Sequence, residues 1–198
     1  MSRRTIAAAA FVAFAIFAAW LLFVALPHRY AARPRQSASA PAAAPPAAAT
    51  VPAGARKIAA TLFYVGDDGM SLVETQRDVP YGATAVDQAR AILEAQIAAA
   101  PPLVSAIPAD TKVRNVFITD HGDAFVDFSG DLAAKHTGGS TDEVLTVYTI
   151  VDALTANLPA IARVQILIDG KQVDTLAGHV DLRHPLAKSL AWVAHDTH

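Results

Sequence analysis

Cysteine is missing from all 198 residues, so the chain forms no disulfide, offers no thiolate nucleophile and carries no lipid on a cysteine. The phosphate-cradling patterns GxxxxGK[ST] and GxGxxG are missing too, as is the GxSxG elbow of many serine hydrolases. A basic patch is the third absence. From Arg56 onward 11 Lys/Arg stand against 18 Asp/Glu, so the overall formal charge of −2 hides an acidic C-terminal part and a basic N-terminal part. An acidic domain does not neutralise phosphates, and this excludes nucleic acid as a partner.

One stretch lacks charge altogether. Residues 5–26, TIAAAAFVAFAIFAAWLLFVAL, are almost wholly apolar, and about 20 such residues span a bilayer core as a helix. A signal peptide is the competing reading, because Arg3 and Arg4 precede the stretch and Ala38-Ser39-Ala40 is an A-x-A triplet. The stretch exceeds the roughly 7–15 residues of a signal h-region, and the triplet lies well beyond its end. An uncleaved single-pass anchor is therefore expected, with residues 1–4 as a short basic cytoplasmic end. Arg29, Arg33 and Arg35 on the far side oppose exporting the C-terminal part, so charge alone does not orient the helix. These arginines suit anionic headgroups.

Residues 27–55 are dominated by Ala and Pro. They bury too little apolar surface to offset their ordering entropy, and they read as a linker of about 30 Å if flexible and roughly 90 Å if extended. The folded domain is expected over residues 56–188, with 189–198 as a tail.

Within that domain IAATLFYV and MSLVETQRDV flank GDDG as a β-hairpin. Thr84 is a candidate N-cap, and Val86, Ala89, Leu93 and Ile97 recur at helical spacing before Pro101-Pro102. VRNVFITD and AFVDFSGDL form a second hairpin around His121-Gly122-Asp123, with Asp127 on a wet face between Val126 and Phe128. Ser140 and Glu143 fit a capping box, followed by the stripe Val144, Val147, Tyr148, Val151, Leu154 and Leu158. Val164, Ile166 and Ile168 alternate before the hairpin turn Asp169-Gly170. The pattern is ββαββαββ. It predicts an α+β, two-layer domain, two helices on an antiparallel or mixed sheet.

Chemistry-bearing residues are few. His179, His184, Asp181, His136, His121, Asp120 and Asp123 could bind metal by type, but none has a metal-site spacing, and His179 after Gly178 reads as architectural. Gly138-Gly139-Ser140 before a helix could meet an anion, although the capping box accounts for Ser140 without one. His195 and His198 sit in a polar end. No catalytic residue, cofactor or metal is assigned.

Taken together, Ile107 to Thr111, Val126 to Ser129, Gly139 to Glu143, Val164 to Gly170 and Gly178 to Leu182 resemble the motifs of the GerMN domain family, the sporulation and spore germination module. The likeness covers roughly residues 58–187. It implies an extracytoplasmic domain tethered to the membrane, which orients the chain, and it implies interaction or assembly rather than a reaction. Asp127, Ser140, Glu143, Asp169, Gly170, Gly178, His179 and Asp181 are then structural motif residues. The chain departs from lipoprotein members in lacking a lipid-bearing cysteine, and it holds one copy of the domain. The expected partner is an envelope protein or a second copy. Peptidoglycan or small-molecule binding is one alternative and a cell-wall hydrolase is another.

Overall fold

The computed structural model describes residues 56–98 and 100–194. The expected membrane segment at 5–26, the linker at 27–55, His195 and His198 lie outside them. Among the described residues no helix is long and apolar enough to cross a membrane.

The chain runs β1 (Lys57–Val65), β2 (Leu72–Pro80), α1 (Ala85–Ile97), β3 (Val113–Ile118), β4 (Asp123–Phe128), the one-turn α2 (Asp131–Ala134), α3 (Ser140–Asn157), β5 (Arg163–Ile168), β6 (Lys171–Gln172), β7 (Leu186–Ala187) and a short 3₁₀ turn (Leu190–Trp192). The fold is α+β, with the expected order of main elements. It has two sheets where one was expected. β1 and β2 form their own antiparallel pair, and β3-β4-β5-β6 form a second sheet to which β7 adds beside β5. This second sheet is mixed, because β4 and β5 run parallel across the α3 crossover.

Leu62, Phe63 and Tyr64 are consecutive and all fully buried, so both faces of β1 are covered. The two helices touch one another and link the sheets: α1 meets β2 and β3, and α3 meets β1 and β5. With strands of both sheets against it, α3 is buried on most of its circumference. Leu145, Val147, Ile150, Val151, Ala153 and Leu154 are all inside, as expected of a helix without a broad polar face. Val147, Val151 and Leu154 lie in the core as the stripe predicts, while Val144 and Tyr148 are half-buried at its margin.

Local chemistry explains the helix starts unequally. Thr84 caps α1 in a full capping box with Asp87, its Oγ1 accepting from the Asp87 N–H at 3.1 Å. The capping box expected at Ser140 and Glu143 does not form. Gly139 occupies the N-cap with φ 93°, Ser140 is already helical, and no side chain caps the end. Glu143 is engaged elsewhere.

Candidate functional site

Glu143 is fully buried one turn into α3 and points at the segment after β6. Its Oε1 accepts the N–H groups of Leu176 at 2.8 Å and Ala177 at 2.9 Å, and its Oε2 accepts the His179 N–H at 2.7 Å. The His179 ring closes the set with Nδ1 at 3.1 Å from Oε2, which places a proton on that nitrogen when it donates. Gly178, at φ 99°, provides the backbone turn that aims these amides inward. Burial alone pushes the Glu143 carboxyl upward, but the N–H groups of Ala177, His179, Leu176 and Val180 outweigh it, and the group titrates below its ordinary value. This is a carboxylate clasp. It ties residues 176–179 to α3 and leaves the His179 side chain 46% exposed, a half-covered ring rather than a buried one.

A second clasp joins β4 to the β5–β6 turn. Asp127 Oδ1 accepts the Gly170 N–H at 2.6 Å, and Arg114 reaches both Asp127 at 3.5 Å and Asp169 at 2.5 Å. Asp169 and Gly170 have φ of 51° and 75°, the backbone of a tight hairpin turn. The expected wet face at Asp127 is therefore corrected: the residue is buried because the neighbouring turn folds over it.

The remaining polar candidates are scattered. Asp181 is exposed and forks onto Arg183 at 2.7 and 2.9 Å, which holds its carboxyl far below the ordinary range. Asp123 pairs with Arg163 at 2.7 Å. His136 accepts the Gly138 N–H on Nδ1 at 2.9 Å, so its Nε2 carries the proton toward Thr146 Oγ1 at 3.2 Å. Among the described residues no three His, Asp or Glu side chains converge as metal ligands. An anion at the start of α3 meets Asp142 and Glu143 in the first turn, and these already answer the helix dipole.

Sequence reasoning missed three polar side chains that hold the backbone of distant segments, the buried Gln96 and Asp152 and the part-buried Asn157. Gln96 holds both backbone groups of Phe63, accepting the N–H at 2.8 Å and donating to the carbonyl at 2.6 Å. Asn157 does the same for Thr61 at 2.8 and 2.7 Å. Asp152 is buried in α3 with Oδ1 accepting the Ser189 N–H at 3.0 Å and Oδ2 unpaired. Burial pushes Asp152 up to about 6, partly countered by the Ser189 N–H and Lys188, with Glu74 adding to the rise. A polar residue inside a helical apolar stripe was the only available signal.

A concavity lies between residues 97–109 and 135–145, with His136 in its wall. It has a volume of about 560 Å³ and is lined largely by Val65, Ile97, Leu103, Val104, Ile107 and Leu145, with Lys135 and Asp142 among its polar groups. Val104 is 60% exposed, and Met70, nearby in the β1–β2 turn, is 67% exposed.

Residues 61–174 match the family model Germane, described as sporulation and spore germination. The chain belongs to the Germane family. A search of curated proteins returns no match. Solved Germane-type relatives have the same fold. The tandem GerMN domains of the sporulation protein GerM from Bacillus subtilis align at 22% identity over 67% of this chain and 46% of theirs, with a TM-score of 0.56. The first of those domains aligns at 22% identity over 66% of this chain and 97% of its own, with a TM-score of 0.52. A candidate lipoprotein from Clostridium perfringens aligns at 23% identity over 67% and 88% of the two chains, with a TM-score of 0.48, too low to bear on the fold. The two clasps lie within or just beyond the Germane match. Asp127, Glu143, Asp169 and Gly170 fall inside it, and His179 falls after it.

Proposed function

We propose that this Germane domain is a non-catalytic interaction and assembly module of the bacterial cell envelope, held to the cytoplasmic membrane by residues 5–26 and facing outward at the end of the 27–55 linker. The observation that carries this reading is how the reactive side chains are used. Glu143, Asp127 and His136 each bind backbone amides of their own chain, a use that fixes the fold, and His136, which lines the concavity, has both ring nitrogens engaged, with the Gly138 N–H and with Thr146 Oγ1. The concavity has a mostly apolar lining with Ser105, Lys135, His136, Thr137 and Asp142 among its polar groups, a mixed surface that suits a protein segment.

The test places a photo-cross-linking residue at Val104 or Met70 of the full-length protein in living cells. The reading expects a discrete adduct with an envelope protein or with a second copy. Adducts confined to wall glycan would replace it with the peptidoglycan-binding reading, and the absence of any adduct would count against it. Activity of a periplasmic reporter fused after residue 194 tests the outward orientation, and activity only in the cytoplasm would refute it.

A further inference from the structure

The concavity between residues 97–109 and 135–145 has an acidic surround. Asp142 lies in its wall, and Gly69 brings the β1–β2 turn to its edge, so the exposed Asp67 and Asp68 of that turn stand beside it. Asp110 and Asp131 are drawn in by Lys135, which lies in the wall and pairs with them at 2.7 and 3.3 Å. The lysine charge is thus answered twice within the chain. Lys112 adds a further positive charge near Asp110. His136 accepts the Gly138 N–H on Nδ1, the uncharged form of the ring. Asp67, Asp68, Asp110, Asp131 and Asp142 therefore stand against Lys135 and Lys112, and the surround is negative. Inside it the surface is apolar, with Ile97, Leu103, Ile107 and Leu145 in the lining, Val104 exposed in the wall and Met70 exposed next to Gly69.

We infer that this concavity docks a basic segment of a different envelope protein, one that sets an apolar side chain against Ile107 and Leu145 and Lys or Arg beside Asp67 and Asp142. The apolar contacts supply affinity, and the carboxylates steer the partner in and reject acidic competitors. Charge decides between the possible occupants. The folded domain of a second copy carries the same excess of 18 Asp/Glu over 11 Lys/Arg, so it meets this surround with like charge. Anionic lipid phosphates are repelled for the same reason. A cationic segment gains from every carboxylate that faces it.

This assignment gives the assembly reading a surface and a partner chemistry, and it rests on that reading. The test uses the full-length protein in living cells with a photo-cross-linking residue at Val104, and identifies the partner peptide in the adduct by mass spectrometry. A segment richer in Lys and Arg than in Asp and Glu is expected. Charge variants are expected to move the adduct yield in opposite directions. Asp67→Lys combined with Asp142→Asn lowers it by about fivefold or more, and Lys135→Glu raises it by about twofold or more. The Lys135 ion pairs are exposed and contribute little to the fold, so the second variant reports charge. Damage to the fold would lower the yield in both. A yield that neither variant changes, a fall in both, or an adduct on a second copy or on a segment without excess positive charge would overturn the docking of a basic partner and leave the assembly reading standing. No adduct in the absence of charge changes would remove both.

Discussion

The β1 and β3 edges both lie near α1, yet one spends the buried Gln96 amide and the part-buried Asn157 amide on its backbone and the other leaves Val116 and Ile118 without a partner among the described residues. The difference follows from where each edge lies. Phe63 is wholly inside, so its unpaired amide and carbonyl would be cut off from water, and such groups are costly unless bonded. The β3 edge reaches the surface at Phe117, where water satisfies its backbone at little cost. A closed edge thus belongs to stability, and an open one is available for binding.

The contrast can be broken most forcefully on the closed side. Gln96→Leu keeps an apolar body but strips partners from two buried backbone groups of Phe63. It is expected to lower stability by about 2–5 kcal/mol in denaturant unfolding. A change near zero would mean that β1 does not depend on the amide.

A comparable loss is expected on the other strand of the same hairpin, where the segment after β7 is strapped across β2. The Ala194 N–H donates to the Leu72 carbonyl at 2.7 Å, and the strap is anchored where the Ser189 N–H meets Asp152. The Asp152 carboxyl is raised from 3.8 to about 6 on folding. A group raised in the folded state favours folding fully below its unfolded pKa and loses that contribution as pH rises through the folded one. Stability is therefore expected to fall by about 2–3 kcal/mol between pH 4 and pH 7 on account of this group. Asp152→Asn is expected to remove that slope in pH-dependent melts, and a slope left intact would assign it to other groups.

Asn157→Ala is the milder version of the Gln96 change, because Thr61 is only part-buried and water can replace the amide. About 1–2 kcal/mol is expected. The smallest effect belongs to the open edge. Val116→Pro deletes an N–H that has no partner among the described residues, and proline is tolerated at such edge positions, so stability is expected to change by less than about 0.5 kcal/mol. A loss of several kcal/mol in the monomer would show that the Val116 N–H is bonded within the fold.

Part of this was legible in the sequence. The helix from Thr84, the Asp169-Gly170 turn and the burial of Leu154 follow from local rules of capping, positive φ and helical periodicity, and they hold in the structure. The Ser140–Glu143 capping box failed for a tertiary reason, since Glu143 gains more by binding three amides of a segment over 30 residues away than by capping its own helix. Gln96 and Asn157 were invisible for the same reason: each serves a strand far away in sequence. The division into two sheets was hidden because periodicity marks strands but does not say which strands pair. The open edge of β3 became visible only once the β3–β4 register fixed which backbone groups face outward.

The most direct test of the contrast between the edges is residue-resolved amide hydrogen exchange on the full-length chain. The Phe63 amide is expected to be strongly protected, because it is buried and donates to Gln96. The Val116 and Ile118 amides are expected to exchange quickly, because they face outward without a partner among the described residues. Val116 and Ile118 protected as strongly as Phe63, or a Phe63 amide that exchanges as quickly as theirs, would contradict the account.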